Sequence, residues 1–483
     1  MELKPMPNTD ENLAFVPSHE LASLIADKQI SPVEITQLYF DRIERLDSQL
    51  NSYLTLLPDM AMEAAHAAED AVMRGDELAP LHGVPISIKD LVMTKGVRTT
   101  SGSLAYKDHI PAADSAVAER VKASGAILLG KTNTPEFGSL GANENRLGDD
   151  CRNPWNTERT SGASSGGAGA SVAAGLCSLG TGSDGGGSIR IPASFCGIYG
   201  IKPTQGRVSG FSGVPQDVPL VNLLGQNGPM TRTVKDSAIL LQALAGYDPR
   251  DASSLHAPVP EFVAAVDRDI NGLRMAWSAD FGYAGVDAEV VEVCAAGARV
   301  FEGLGCSIDE SDLMLEDPFE IWWVMSGCNS YLTQGHLLDD PSDPLTWYGR
   351  MLIEDGKEFS AGDYVKALGR RDRMINQFAD VFEEYDLLLS PTMATTAFPV
   401  GEYPEVIEGK RNAHVKGWSF LPFTHPINMI GHPAATVPCG YSADGMPIGL
   451  HIVGRKGDEE TVLAASAAFE RAMPWADKRP VVS

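Results

Sequence analysis

Three consecutive glycines, Gly185 to Gly187, stand before Ser188 in the stretch GTGSDGGGSIRIP. Each glycine costs about 0.5–1 kcal/mol relative to alanine inside a regular helix or strand, so the triplet predicts an irregular loop. The preceding residues, CSLGTGSD, are typical of a strand that leads into this loop. A strand, a bare backbone and a hydroxyl in succession indicate that the loop approaches a bound or reacting group closely.

A phosphate-binding loop is the first alternative for such a run. A nucleotide P-loop has the form GxxxxGK[ST], but no lysine follows Gly187. The letters of the dinucleotide motif GxGxxG are matched by Gly180, Gly182 and Gly185, yet Pro192 soon interrupts the continuation. The match is weak in a chain with 48 glycines, so we predict no nucleotide cofactor.

The segment GASSG, from Gly162 to Gly166, is a second alternative because it matches the nucleophile elbow GxSxG at Ser164. His425 or His432 would then be the base. An elbow lies between a buried strand and a helix, whereas the residues before Ser164, CRNPWNTERTSG, predict a polar loop without a strand. The context therefore disfavours a Ser-His-Asp hydrolase.

An oxyanion hole is the third interpretation of the glycine run. Adjacent backbone N–H groups without side chains can converge on one oxygen, and Ser188 at the end of the run would be a nucleophile beside them. No histidine lies near Ser188 in the sequence, so the base must come from elsewhere. Lys89, in the apolar strand ISIKD, is a candidate because burial lowers the pKa of an amine. Its alternative role is an ion pair, with Asp90 or Asp184.

The stretch from Ser161 to Ser209 resembles the signature region of the amidase signature family. The resemblance continues along nearly the whole chain, in GVPISIKD (83–90), LGKTNTPEF (129–137), RNPWN (152–156), GPMTRTVKD (228–236), HPAATVPCG (432–440) and GMPIGLHIVG (445–454). It implies an α/β fold with a central mixed β-sheet covered by helices on both faces. It also implies amide hydrolysis that needs no cofactor and no metal.

Carried over residue by residue, the resemblance implies a Ser–cis-Ser–Lys triad. Ser188 is then the nucleophile, Ser164 the bridging serine, entered through a cis peptide from Ala163, and Lys89 the base. The oxyanion hole falls on the N–H groups of Gly185, Gly186, Gly187 and Ser188.

The same resemblance gives supporting roles to three neighbours of the triad. Asp184 and Arg190 are expected to hold the loop in shape, and Ser165 to hydrogen-bond within the serine cluster. The sequence departs from the family pattern at Ala163, where glycine is usual, and at Gly185, where threonine or a larger residue is common. The departure at Gly185 is expected to widen the hole or the acyl pocket.

Alternating strand and helix patterns predict one domain over residues 1–483. Its parts are N-terminal helices (1–80), the signature core (81–250), a mostly helical substrate-pocket segment (255–385), and C-terminal strands with a closing helix (386–483). Helix starts are predicted at Ser31, Thr233 and Asp458, each an N-cap residue type.

Aromatic residues crowd the middle segment and suggest an apolar substrate pocket. They are Trp322, Trp323, Tyr331, Trp347 and Tyr348. They favour aryl or hydrophobic amides as substrates, with carbamates as a chemically adjacent possibility. The alternative from another class is the amidase-like component of a tRNA-dependent amidotransferase, which would work inside an assembly.

Charge and cysteine content bear on partners and compartment. The chain carries 38 basic and 64 acidic residues, a net charge of −26, which disfavours nucleic acid as a partner. No apolar run approaches the roughly 20 residues of a membrane span, and the N-terminus MELKPMPNTD lacks a leader pattern. Seven scattered cysteines fit reduced thiols. We therefore expect a cytoplasmic monomer or homodimer that acts on a small amide or carbamate.

Overall fold

The computed structural model describes residues 10–213 and 223–483. The leader-peptide expectation concerns residues that lie mostly outside these ranges. Within them, no helix combines the length and the apolar character that crossing a bilayer requires.

The helices and strands alternate along most of the chain, as the sequence predicts. The α-helices are Asp10–Leu13 (α1), Ser18–Ala26 (α2), Pro32–Leu46 (α3), Pro58–Arg74 (α4), Ala116–Ala123 (α5), Gly166–Ala173 (α6), Arg190–Cys196 (α7), Val234–Leu244 (α8), Phe262–Ala265 (α9), Ala288–Gly303 (α10), Phe319–Gln334 (α11), Trp347–Glu358 (α12), Ala361–Glu384 (α13), Thr424–Ile430 (α14) and Glu459–Ala472 (α15). The strands are Tyr53–Leu56 (β1), Pro85–Lys89 (β2), Ile127–Thr132 (β3), Arg152–Asn153 (β4), Asn156–Thr160 (β5), Leu179–Asp184 (β6), Tyr199–Lys202 (β7), Gln226–Thr231 (β8), Arg274–Trp277 (β9), Ser307–Glu310 (β10), Leu387–Pro391 (β11), Ala434–Tyr441 (β12) and Pro447–Gly454 (β13).

One mixed sheet of eleven strands forms the centre of the molecule, in the order β1-β3-β2-β6-β8-β7-β12-β13-β11-β9-β10. Strand β2 runs parallel to both β3 and β6, whereas β6 and β8 are antiparallel. Every residue of β2, β3, β11 and β13 is buried. Since successive side chains of a strand point to opposite faces, such burial means that helices cover both faces of the sheet.

Local signals predicted several helix starts correctly. Ser31 accepts hydrogen bonds from the backbone at the start of α3, and Glu34 completes the capping box. Thr233 and Asp458 cap α8 and α15 in the same way. These caps depend only on residues within one helical turn, which is why the sequence alone reveals them.

The parallel pair β2 and β6 positions the candidate site. Their carboxyl ends lie side by side, and the glycine run follows β6 directly. Helix α6 begins immediately after the serine pair, and all eight of its small residues are buried. The carboxyl ends of neighbouring parallel strands are where open α/β sheets place their ligands.

Candidate active site

Lys89 is the last residue of β2 and has no solvent exposure. Its Nζ donates to the Ser164 hydroxyl at 2.7 Å, to the Ser183 hydroxyl at 3.0 Å and to the Ser183 carbonyl at 3.3 Å. Burial lowers the pKa of Lys89 to about 7, although the carboxylate of Asp184 opposes this shift. A large fraction of the Lys89 amine is therefore neutral near pH 7.

Ser164 lies in the loop between β5 and α6, and the peptide that joins it to Ala163 is cis. Its side chain lines a cavity and has 2 % exposure. The prediction that no strand precedes this loop was wrong, because β5 does. However, β5 belongs with β4 to a separate two-stranded sheet and otherwise forms one isolated bridge, between Arg159 and Pro399, so the loop does not follow a strand of the main sheet.

The two histidines considered as bases make other contacts. His425 contacts the Leu421 carbonyl at 3.0 Å through Nδ1, and His432 contacts the Gly454 carbonyl at 2.9 Å. Burial lowers the pKa of His425 to about 3 and that of His432 to about 4. The group that contacts the Ser164 hydroxyl is instead the amine of Lys89.

Ser188 is partly exposed and lines the same cavity as Ser164. Its hydroxyl makes no hydrogen bond to the described residues, and its backbone carbonyl accepts from Ser165 N–H at 3.1 Å. Ser165 is fully buried, and its hydroxyl bonds to the backbone of Ser183 at 3.3 Å. Ser165 thus joins the loop that carries Ser164 to the two ends of the glycine run.

Side-chain hydrogen bonds to three successive carbonyl oxygens hold the peptide groups of the glycine run. Asn428 Nδ2 donates to the carbonyl of Asp184 at 2.7 Å, and Trp322 Nε1 donates to that of Gly185 at 2.8 Å. The hydroxyl of Thr424 donates to the Gly186 carbonyl at 2.6 Å. In a trans peptide the N–H points opposite to the C=O. These three contacts therefore orient the next three N–H groups.

The N–H groups of Gly185, Gly186 and Ser188 donate to none of the described residues. In contrast, the N–H of Gly187 donates to Asp184 Oδ1 at 2.7 Å. This differs from the sequence-based expectation that all four amides are available to an oxyanion. The amides of Gly185, Gly186 and Ser188 thus remain available to an oxyanion, whereas the amide of Gly187 fixes the shape of the loop.

Two of the three glycines are required by close packing. A Cβ on Gly186 would lie 2.8 Å from the indole of Trp322, and one on Gly187 would lie 2.4 Å from the Thr424 hydroxyl. Gly187 also has a φ of 131°, which L-residues with side chains rarely adopt. A Cβ on Gly185 would meet nothing within 4 Å, so this position borders open space.

Asp184 and Arg190 form a buried ion pair behind the loop. Two guanidinium nitrogens of Arg190 each donate to the Asp184 carboxylate at 2.9 Å, and both side chains have no solvent exposure. Burial alone would raise the pKa of Asp184, but the charge of Arg190 holds it well below its usual range. Arg190 also donates to His451 Nε2 at 3.0 Å, so the pair anchors the loop to β13.

The cavity in front of Ser188 has a volume of about 390 Å³. Its aromatic walls are formed by Phe137, Phe211, Trp322 and Trp418. Asp184 is the one ionisable residue among its described lining residues, and its carboxylate is neutralised by Arg190. The cavity therefore presents an apolar, uncharged surface with scattered hydroxyl and amide groups.

Of the five aromatic residues predicted for the pocket, only Trp322 lines this cavity. Trp323 is buried and donates to Asp355 at 2.9 Å, and Tyr348 is buried and donates to the Glu144 carbonyl at 2.7 Å. Tyr331 and Trp347 are instead 39 % and 42 % exposed. Helical periodicity could not separate these roles, because all five lie on or near helices whose packing partners are distant in sequence.

Several residues of the site were not identified from the sequence. They are Ser183, Gln226, Trp418, Thr424 and Asn428. Ser183 precedes Asp184, and a hydroxyl two residues before the glycine run is a signal that could have been used. The others come from distant segments and carry no local signal.

The chain is similar to known proteins over nearly its whole length. The family model described as Amidase matches residues 34–463. An acylamidase from Rhodococcus erythropolis is 36% identical over 98% of this chain and 99% of its own length. One of the subunits of the glutamyl-tRNA(Gln) amidotransferase from Moorella thermoacetica is 38% identical over 97% and 99%, respectively.

A solved structure shows the same fold. It is that of a bacterial aryl acylamidase of the amidase signature enzymes, with 31% sequence identity and a TM-score of 0.90. The superposition covers 96% of this chain and 97% of the aryl acylamidase.

Proposed function

The chain belongs to the amidase signature family, and from this premise we propose that it hydrolyses neutral, apolar amides, in particular aryl amides, through Lys89, Ser164 and Ser188. The observation that carries the proposal is the 2.7 Å contact between the Lys89 amine and the Ser164 hydroxyl. Ser164 lines the same cavity as Ser188, Gly185 and Gly186.

The proposed reaction starts with neutral Lys89. Ser188 attacks the amide carbonyl and passes its proton to Ser164, which passes its own proton to the Lys89 amine. The developing oxyanion is stabilised by the N–H groups of Gly185, Gly186 and Ser188. The proton returns through Ser164 to the leaving nitrogen, and the amine departs. Water then hydrolyses the acyl-enzyme by the same relay.

The described cavity lining carries no charge without a partner, since Asp184 is paired with Arg190, and this supports neutral substrates. A free amino acid such as glutamine carries an ammonium and a carboxylate, which need partners when they are buried. The aromatic walls instead suit an aryl ring, which buries a large apolar area. Carbamates present a similar carbonyl to Ser188, and we propose them as secondary substrates.

A second candidate function follows from the 38% identity to the amidotransferase component over nearly the full length. In that case the chain would release ammonia from glutamine inside an assembly. The two candidates are separated by assaying the purified chain alone on p-nitroacetanilide and on glutamine. Hydrolysis of the anilide without ammonia release from glutamine supports the aryl amidase, and the reverse supports the amidotransferase component.

Active-site labelling tests the assignment of the nucleophile. A fluorophosphonate probe should add to Ser188, as located by peptide mass spectrometry, and Ser188→Ala should abolish both labelling and anilide hydrolysis. Ser139→Ala, a cavity serine with no assigned role, is the matched control and should keep both. An adduct on another residue, or an active Ser188→Ala variant, would refute the proposed mechanism.

A further inference from the structure

Gln226 is the first residue of β8 and lies opposite Asp184 in the antiparallel register with β6. Its side chain is therefore next to the loop that carries the proposed oxyanion hole. It is 3 % exposed and lines the cavity. The reaction proposed above gives it no role.

A chain of hydrogen bonds fixes the orientation of the Gln226 amide. The guanidinium of Arg190 can only donate, and its Nη2 donates to Asn428 Oδ1 at 2.6 Å. The opposite atom of Asn428 must then be its NH₂ group. This group donates to the carbonyl of Asp184 at 2.7 Å, and it also lies within hydrogen-bond distance of Asp184 Oδ1 at 2.8 Å, the Leu224 carbonyl at 3.1 Å and Gln226 Oε1 at 3.3 Å. Gln226 Oε1 is therefore the atom that faces the NH₂ group of Asn428, and the NH₂ group of Gln226 lies at the other side of its amide.

The NH₂ group of Gln226 is buried and has no hydrogen-bond partner among the described residues. A buried donor without a partner is unfavourable, and such groups in native proteins call for an explanation. The contact with Asn428 uses only the oxygen, so a role in holding the loop does not account for the unpaired NH₂. An acceptor brought by a bound substrate does account for it.

We propose that Gln226 is a specificity-determining residue whose side-chain NH₂ donates a hydrogen bond to a neutral oxygen of the substrate, close to the scissile carbonyl. The substrate class is an amide with an ether oxygen in the acyl chain beside that carbonyl, such as an alkoxyacyl anilide. No cationic side chain stands among the described lining residues, which favours a neutral acceptor over a carboxylate. This inference rests on the proposed function.

Two anilides of nearly equal shape test the proposal: the 4-nitroanilides of methoxyacetic acid and of butyric acid. They differ by one ether oxygen in place of a methylene. The measured quantity is the ratio of kcat/KM for the methoxyacetyl substrate to kcat/KM for the butyryl substrate. This ratio should be about tenfold higher in the wild-type enzyme than in the Gln226→Met variant, because a site built around a hydrogen bond discriminates against an analogue that lacks it. Gln226→Leu gives the same comparison if the methionine variant does not fold.

The ratio of the two rates separates recognition from a structural role. A structural role of Gln226 would lower both rates equally and leave the ratio unchanged in the variants, which would overturn the proposal. Equal rates on both substrates in the wild-type enzyme would also overturn it.

Binding measurements keep the proposal testable without turnover. In calorimetric titrations of the same two anilides, Ser188→Ala should bind the methoxyacetyl substrate more tightly than the butyryl substrate. The double variant Ser188→Ala/Gln226→Met should lack this preference. If the wild-type enzyme hydrolyses neither anilide but Ser188→Ala shows this preference, the proposed function fails while the role of Gln226 stands. If neither anilide binds, or both bind equally, the role of Gln226 is refuted.

Discussion

Lys89 combines full burial with hydrogen bonds to two serine hydroxyls and a carbonyl, and no carboxylate of the described residues is its direct partner. A buried lysine that serves structure usually pairs with an acid, which keeps it charged. Here the carboxylate that acts on Lys89 from a distance, that of Asp184, is neutralised by Arg190. The surroundings therefore favour the neutral amine, the form that a base requires.

The pH dependence of activity follows from this environment. Because the proposed mechanism uses the unprotonated amine, kcat/KM should rise with pH, pass its midpoint near the Lys89 pKa of about 7, and level off above it. The assay is p-nitroacetanilide hydrolysis between about pH 5.5 and 9. Lys202 is a matched control, because burial also lowers its pKa to about 7, yet its amine donates to the carbonyls of Pro203 and His432. Lys202→Met should leave the midpoint in place; a flat profile in the wild-type enzyme would argue against Lys89 as the base.

Gly185 and Gly186 should respond differently to the same substitution. In Gly185→Ala the added methyl group enters open space, so the protein should fold and still cleave acetanilides. Anilides with bulkier acyl groups, such as benzanilide, should lose at least about tenfold in kcat/KM, the usual effect of a methyl group in a pocket. In Gly186→Ala the methyl group meets the indole of Trp322, and activity on both substrates should fall. If Gly185→Ala lowered kcat/KM equally for acetanilides and for benzanilide, Gly185 would not border the part of the cavity that holds the acyl group.

At the scale of secondary-structure elements, two distant helices hold the glycine loop. Helix α11 supplies Trp322, and α14 supplies Thr424 and Asn428. Their contacts fall on three successive carbonyls, so the N–H groups between them cannot rotate freely. A preorganised hole of this kind stabilises the oxyanion without reorganisation during the reaction.

The hydrogen bond from Trp322 can be removed while its ring is largely kept. Trp322→Phe should lower kcat on p-nitroacetanilide by about tenfold with little change in KM, since it loosens a donor that acts mainly in the transition state. Trp323→Phe is the control on the same helix, because the Trp323 indole donates to Asp355 away from the cavity. Equal effects of the two substitutions would mean that the contact with Gly185 does not orient the hole.

The ion pair behind the loop should contribute to stability rather than to the chemical step alone. Asp184→Ala leaves the guanidinium of Arg190 buried without its charge partner, so the free energy of unfolding should fall by about 3–5 kcal/mol. Asp343→Ala removes a pair with Arg350 at the surface and should cost at most about 1 kcal/mol. Urea denaturation measures both values. Similar losses in the two variants would contradict a special role of the buried pair.

The elements and residues that could be predicted from the sequence are those whose signals are local. Ser31 and Thr233 identify helix starts by their own side chains, and the run from Gly185 to Ser188 identifies an irregular loop after a strand. Trp322 and Asn428 could not be assigned in this way. They lie 137 and 244 residues from the carbonyls that they contact, and only the packing of α11 and α14 brings them there. The same reason applies to β9 and β10, two short strands at one end of the sheet, which lie within the segment that was predicted to be mostly helical.

At the scale of the whole molecule, charge and cavity act in the same direction. The net charge of −26 produces a negative potential around the protein, and the described lining of the cavity offers no cation to an anionic group. Anionic amides should therefore be repelled on approach and also poorly bound. Neutral amides experience neither effect, which agrees with the proposed substrate class.

Ionic strength distinguishes these substrates experimentally. Raising the salt concentration from about 0.01 M to about 0.15 M shortens the Debye length from about 30 Å to about 8 Å and so screens the field of the protein. The kcat/KM for an anionic substrate, succinyl-4-nitroanilide, should start below that of p-nitroacetanilide and rise severalfold, because repulsion slows its approach. The neutral p-nitroacetanilide should change by less than about twofold, and an anilide with a cationic acyl group should show the opposite trend. An anionic substrate that is insensitive to salt, or cleaved faster than the neutral one, would mean that a cation outside the described lining serves the site, and the preference for neutral amides would then be wrong.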